Sequence, residues 1–308
     1  MSEQVLAIDI GGTKIAVALV DGTGAVRAEL VQPTVPSLDA EEVFAPAAAA
    51  LLEVLTARDA PDQPLRVGIG SAGPIDAPAG TVSPVNIPAW RAYPVVERVK
   101  ATLAPATTAA ATVGLAGDGH CFALGEHWLG AGRDVDTMVG LVLSTGVGGG
   151  AVIDNRLFAG TTGNAVHLGH ISVNAWGPRC VCGGHGCVEM YARGPALVAA
   201  ARERGWRGGP DAQALAADAR AGNAVALEVI EVGMRALAAG IATTATELDV
   251  RTFVLGGGVS RAGEVVLGPL RRHLRDFAVL GYVRDLEVRP AVLDNAGLLG
   301  AAALAFTL

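Results

Sequence analysis

The chain has 308 residues, enough for one large domain or two smaller ones sharing a hinge. Hydrophobic residues make up 51% and charged residues 17%, a balance that fills a sizeable core and excludes general disorder. The net charge of −7 gives no basic surface by default, so a nucleic-acid partner is not expected.

The chain opens on MSEQ and turns at once into a strand pattern, without the basic start and small-residue cleavage site of a signal peptide. No apolar run reaches transmembrane length, so a soluble cytoplasmic protein with no membrane partner is expected. Residues 5–8 (VLAI) read as a strand, followed by the turn Asp9-Ile10-Gly11-Gly12-Thr13-Lys14 and a second strand over 15–20. A third strand fits 25–30, a helix 40–58 despite Pro46, and a buried strand 66–70 that ends in the loop Ser71-Ala72-Gly73-Pro74. The pattern partly recurs at 139–143 (VGLVL), with a glycine turn over 144–150, a strand from Ala151 and the turn pair Asp154-Asn155. Two similar α/β cores are therefore expected rather than one long sheet. A loop-rich stretch runs from Gly160 to about Val188, then helices over 191–204, 211–219 and 223–246. A strand at 251–255 ends in Gly256-Gly257-Gly258, a helix near 263–276 leads to a strand around 285–289, and residues 294–306 form a last apolar helix. The boundary between lobes is placed at residues 117 and 118: a smaller lobe of 1–117 completed by helix 294–308, and a larger one of 118–293.

Three glycine turns sit at strand ends. Gly11 and Gly12 can turn backbone N–H groups toward a phosphate, Thr13 adds a hydroxyl, Lys14 a positive charge, and Asp9 a hard carboxylate suited to Mg²⁺. Thr145 and Gly146 are the best donors of the second turn, which is neither a Walker A loop nor a convincing dinucleotide fingerprint. Gly256, Gly257 and Gly258 permit close approach of an adenine or ribose. Open α/β sheets bind ligands at such strand ends, and a triphosphate needs many donors and a metal ion.

Cys180-Val181-Cys182-Gly183-Gly184-His185-Gly186-Cys187 places three thiols within eight residues. Together with His170 it makes a Cys₃His set suited to a closed, structural Zn²⁺ site. The spacing alone does not choose His170 over His167 or His185. Cys121 reads as a buried small hydrophobe.

These residues resemble the ROK family of bacterial sugar kinases and related repressors. The likeness rests on Asp9-Ile-Gly-Gly-Thr-Lys14, Gly73-Pro-Ile-Asp76, Asn86-Ile-Pro88 with Trp90, Asp118, Gly125-Glu126, Thr145-Gly-Val-Gly-Gly-Gly150, Gly169-His170, the Cys180–Glu189 block and Gly256–Gly258. It implies an α/β, two-lobed, actin-like or ribonuclease-H-like sugar kinase fold with a structural zinc loop, lobes that close over a sugar, ATP with Mg²⁺ as cofactors, and a homodimer. It implies Asp118 as the general base, Asn86, His170 and Glu189 as sugar-orienting groups, and attack by the sugar 6-hydroxyl. Two positions depart from the family pattern. Gly117 stands where an Asn is common and His167 where a Glu is common, which changes the hydrogen bonds offered to a ligand. The sequence resembles, more narrowly, kanosamine 6-kinases of antibiotic biosynthesis, which implies an aminosugar substrate contacted by His167; ordinary glucokinase activity and a catalytically weak sugar sensor are the competing expectations.

Overall fold

The structure, a computed structural model, describes residues 3–308. Three strands, β1 (Gln4–Ile10), β2 (Lys14–Asp21) and β3 (Val26–Pro33), form an antiparallel meander. The helix α1 (Ala40–Leu55) follows, with the Asp39 carboxylate accepting from the N–H groups of Glu41 and Glu42 as its N-cap. Next come β4 (Arg66–Ser71), a small ribbon of β5 (Ile75–Asp76) and β6 (Thr81–Val82), α2 (Val95–Leu103), β7 (Thr112–Gly117) and α3 (Asp118–Trp128). Strands β4 and β7 add in parallel to β1, giving the order β3-β2-β1-β4-β7.

A second sheet begins with β8 (Met138–Leu143), β9 (Val147–Ile153) and β10 (Arg156–Phe158). After a long loop come α4 (Glu189–Ala192), α5 (Gly194–Glu203), α6 (Ala212–Arg220) and α7 (Ala224–Leu248). The chain ends with β11 (Thr252–Gly256), α8 (Glu264–Phe277), β12 (Glu287–Pro290) and α9 (Ala296–Phe306). The order β10-β9-β8-β11-β12 repeats that of the first sheet, third-second-first-fourth-fifth, with β11 parallel to both β8 and β12. The recurrence read from the two glycine hairpins is therefore a recurrence of topology.

The chain divides into two units. The first contains the residues through Asp134 with Gly150–Ala165 and Val292–Leu308, and the second contains Val135–Gly149 and Val166–Ala291. The sequence boundary at 117 and 118 is the junction of β7 and α3, and both of these lie in the first unit.

Side-chain alternation decides what each face of the first sheet buries. Leu6, Ile8 and Ile10 face Val43, Phe44, Leu51, Val95 and Val99 of α1 and α2. Val5, Ala7, Ala16 and Ala18 face Leu298, Ala301, Ala302 and Ala305 of α9. The second face is built of small residues because α9 lies very close: a Cβ at Gly68 would overlap the Ala301 carbonyl. Helices α3 and α9 likewise meet at backbone contact, since a Cβ at Gly300 would overlap the Cys121 carbonyl.

Two local readings are corrected, and two elements were not anticipated. Gly148, Gly149 and Gly150 lie in β9, not in a turn, so the turn is only Ser144–Gly146. The helix read over 191–204 is two helices broken at Arg193 (φ −63°, ψ 149°), because Pro195 has no N–H for a continuing helix and its ring would clash one turn back. Helix α2 and strand β7 were not legible as elements. No helix among the described residues is long and apolar enough to cross a membrane.

Candidate active site and metal centre

In the first unit, Ile10, Ser71 and Gly117 are register partners across β1, β4 and β7, so three parallel strands end on one rim. Asp9 lies one residue before that rim, and Asp118 opens α3 directly after it. Asp9 shares the parity of Val5 and Ala7 and so faces α9. A Cβ at Gly297, in the first turn of α9, would stand 3.1 Å from its Oδ2. Burial, helped by the Asp118 charge and opposed by Lys14, pushes the Asp9 carboxyl up to about 6. The Asp118 Oδ1 accepts from the Gly119 N–H at 2.7 Å.

The turn after β1 is pinned from inside. The Gly11 N–H donates to the Lys14 carbonyl at 2.9 Å, so the amide expected to face a phosphate at Gly11 is used within the turn. Thr34 holds the other side, its N–H on the Thr13 carbonyl and its hydroxyl on the Gly11 carbonyl, both at 2.9 Å. Among the described residues no backbone acceptor takes the N–H of Gly12 or Thr13, and the Thr13 and Lys14 side chains are exposed. Asn86 lies against this turn: a Cβ at Gly12 would stand 2.6 Å from its Cβ. Only glycine allows that approach.

In the second unit, Thr145 is the exposed tip of the Ser144–Gly146 turn. It opens onto a groove of about 490 Å³ lined by Ser144, Thr145, Pro195, Val198, Gln213 and Gly258, among others. The first residues of α5 and α6 form its walls, so two helix N-termini border a space of ligand size. Of the third glycine turn only Gly258 reaches this groove. Gly256 ends β11, and Gly257 (φ 94°) packs on the Leu143 backbone, where a Cβ would overlap the carbonyl.

The loop before α4 gathers His170, Cys180, Cys182 and Cys187, whose ligand atoms all lie within 4.8 Å of one another. Cys182 Sγ and Cys187 Sγ are 3.7 Å apart, and Cys180 Sγ and His170 Nδ1 3.8 Å. A tetrahedral zinc with bonds of about 2.3 Å has ligand-to-ligand edges of about 3.8 Å, so the donor set fits Zn²⁺ in kind and size. The structure thus groups His170 with the thiols, whereas His185 points its Nδ1 at the Gly177 carbonyl at 3.3 Å. Gly183 (φ 93°) and Gly186 (φ 58°) supply the left-handed turns that wrap the knuckle. His167 is exposed, its ring centroid 6.0 Å from that of His170. The residue before it, Val166, has φ 61°, a strained position for a β-branched side chain.

Glu189 joins the knuckle to the Ser144–Gly146 turn. It follows Cys187 by two residues, and its Oε2 accepts from the Val147 N–H at 3.1 Å. A Cβ at Gly146 would stand 3.0 Å from that oxygen, and Arg193 flanks the carboxylate at 3.8 Å. Thr145, Gly146, His167, His170, Glu189, the three thiols and Gly256–Gly258 therefore share the second unit, while Asp9, Gly11–Lys14, Asn86 and Asp118 share the first.

The sequence profile described as ROK family matches residues 5–307. The chain belongs to the ROK family. It is 36% identical to a glucokinase of Thermotoga maritima over 318 residues, covering 98% of this chain and 96% of that one. It is also 36% identical over 303 residues to an N-acetylmannosamine kinase of Citrobacter koseri, covering 97% and 98%. Its fold matches a ROK glucokinase from Streptomyces griseus in complex with glucose and AMPPNP, with a TM-score of 0.80, 34% identity and coverage of 99% and 100%. The α/β ROK kinase fold expected from the motifs is thus present, with a loop able to bind a metal.

For this ROK chain, the groove wall formed by Pro195, Val198, Arg202 and Gln213 was not anticipated from the sequence. The one available signal was Pro195 at the start of a helical pattern, which marks an N-terminus able to face a ligand.

Proposed function

We propose that the chain transfers the terminal phosphoryl group of ATP to the 6-hydroxyl of a hexose or aminohexose. It is a phosphotransferase by full-length kinship with sugar kinases. The observation that carries the chemistry is the rim of the first sheet, where Asp118 opens a helix beside the half-buried Asp9. Asp118 accepts the proton of the attacking hydroxyl, and Asn86 orients the sugar. Gly12, Thr13 and Lys14 offer donors and charge suited to phosphate. Thr145 and the 490 Å³ groove hold the nucleotide in the second unit. Asp9 supplies the hard oxygen suited to the Mg²⁺ that accompanies ATP, an ion that neutralises phosphate charge when bound. His170, Cys180, Cys182 and Cys187 would hold Zn²⁺, which would brace the loop that carries His170 and Glu189, the two groups that orient the sugar in this reading.

Within the class, an aminosugar such as kanosamine is favoured over glucose. Gly117 offers no side-chain amide, and a neutral His167 can accept a hydrogen bond from an amine. The deciding measurement is ATP-dependent transfer to glucose, kanosamine, glucosamine, N-acetylglucosamine and N-acetylmannosamine, with the product position read by phosphorus NMR. Transfer efficiency with glucose equal to or above that with kanosamine would reject the aminosugar. No transfer to any of the sugars would reject the kinase reading.

A further inference from the structure

The chain passes between its two units four times, after Asp134, Gly149, Ala165 and Ala291. The first-unit end of every one of these crossings is held by a single helix, α3. Two buried polar side chains of that helix carry much of the contact: His120 is 2% exposed and Glu126 0%.

Glu126 holds the first and last crossings. Its Oε2 accepts from the Ala131 N–H at 2.9 Å, and its backbone carbonyl accepts from Gly130 and Gly132 at 3.1 and 2.9 Å. Its Oε1 accepts from the N–H groups of Val292 at 3.1 Å and Leu293 at 2.9 Å. One carboxylate therefore ties the segment leading to Asp134 to the segment that leads from Ala291 into α9. Gly130 is required beside it, since a Cβ there would overlap Oε2. His120 holds the other two. Its Nε2 donates to the Ala165 carbonyl at 3.0 Å, the carbonyl being able only to accept. Gly150 packs on the same residue, where a Cβ would stand 2.6 Å from the His120 Cα.

The helix so loaded begins at Asp118. Helix α9, which it crosses at Gly125 and Gly300, begins beside Asp9. We infer that α3 is the hub of the chain crossings, and that Glu126 and His120 are positioning residues that couple the crossings to Asp118. Neither touches the reacting atoms. A carboxylate accepting from three backbone amides spread over two separate segments costs a buried charge, which well-packed apolar residues would avoid. Filling the loop is therefore a weaker account of Glu126 than holding two segments in one register.

The coupling to turnover rests on the kinase reading above; the clamp itself does not. The test uses full-length, zinc-loaded protein. In Glu126→Gln only one acceptor oxygen remains for amides that now use two. Hydrogen exchange should quicken by about tenfold at Ala131 or at Val292 and Leu293, with β1 and β4 still protected. Turnover should fall by about tenfold or more, while the KM for ATP, whose groove lies within the second unit, stays within about twofold. His120→Gln can still donate to Ala165 and should keep wild-type turnover, whereas His120→Ala should lose it. Faster exchange at the clamp amides with unchanged turnover overturns the coupling, as does a loss explained wholly by a lower folded fraction. Unchanged exchange at those amides overturns the clamp. If the wild type transfers phosphate to no sugar, the kinase reading fails and the exchange measurement still decides the clamp. If Glu126→Gln does not fold, the His120 pair decides the coupling from the other two crossings.

Discussion

The Asp118 carboxylate acts across the strand rim on Asp9, adding to burial in lifting the Asp9 carboxyl from its ordinary 3.8 to about 6. A carboxyl raised on folding binds its proton more tightly in the native state. Its contribution to stability is therefore full below the unfolded value of 3.8 and is lost as pH rises through about 6. The loss is about 3 kcal/mol at most. Asp9→Asn abolishes this titration. In the absence of ligands the variant should melt above the wild type at pH 7.5, and the gap should close toward pH 4. Thermal melts across that range check it, and a pH-independent gap would sink the assignment to Asp9.

Asp118→Asn should keep the fold, since the amide oxygen can still accept from the Gly119 N–H. Losing a general base costs about 10²- to 10⁴-fold in turnover. Calorimetry should find ATP and sugar affinities within a few-fold of wild type. Normal turnover would remove Asp118 from the chemistry.

Metal analysis of the purified protein should find one zinc per chain. Cys182→Ala should lose it, because opening a four-ligand shell releases the ion. The Glu189–Val147 contact then loosens, and the KM for sugar should rise by about tenfold. Zinc retained at full occupancy in Cys182→Ala would contradict the ligand set.

Ala199 lines the groove proposed for the nucleotide from an exposed position on α5. Ala199→Trp should fill part of the groove without burying anything in the core. The KM for ATP should rise by about tenfold or more, with sugar binding measured alone unchanged. Equal ATP affinity would place the nucleotide elsewhere.

The sequence carried those features that a local pattern encodes. The two hairpins, the long helices and the thiol knuckle each have a period, a spacing or a turn chemistry that survives reading in one dimension. Strand β7 did not, because TVGLAG holds two glycines and little alternation, and its place is decided by pairing with β4. Helix α2 left a trace in Val95, Val99 and Leu103 at four-residue spacing, within a short and polar stretch. Asp9 and Asp118 were both visible as candidates. Their proximity was not, because it follows from parallel register between strands far apart in the chain. Glu126 stood out only as part of the Gly125-Glu126 pair and His120 not at all, and neither showed its role: each is an ordinary helical residue until the segments it binds are folded around it.

The helix that closes one face of the first sheet is made long after the strands it covers. While the ribosome is still adding the second unit, Val5, Ala7, Ala16 and Ala18 have no α9 to cover them. The nascent first sheet therefore waits, half-dressed, until Ala296–Phe306 emerges, and aggregation during synthesis should be most acute in that interval.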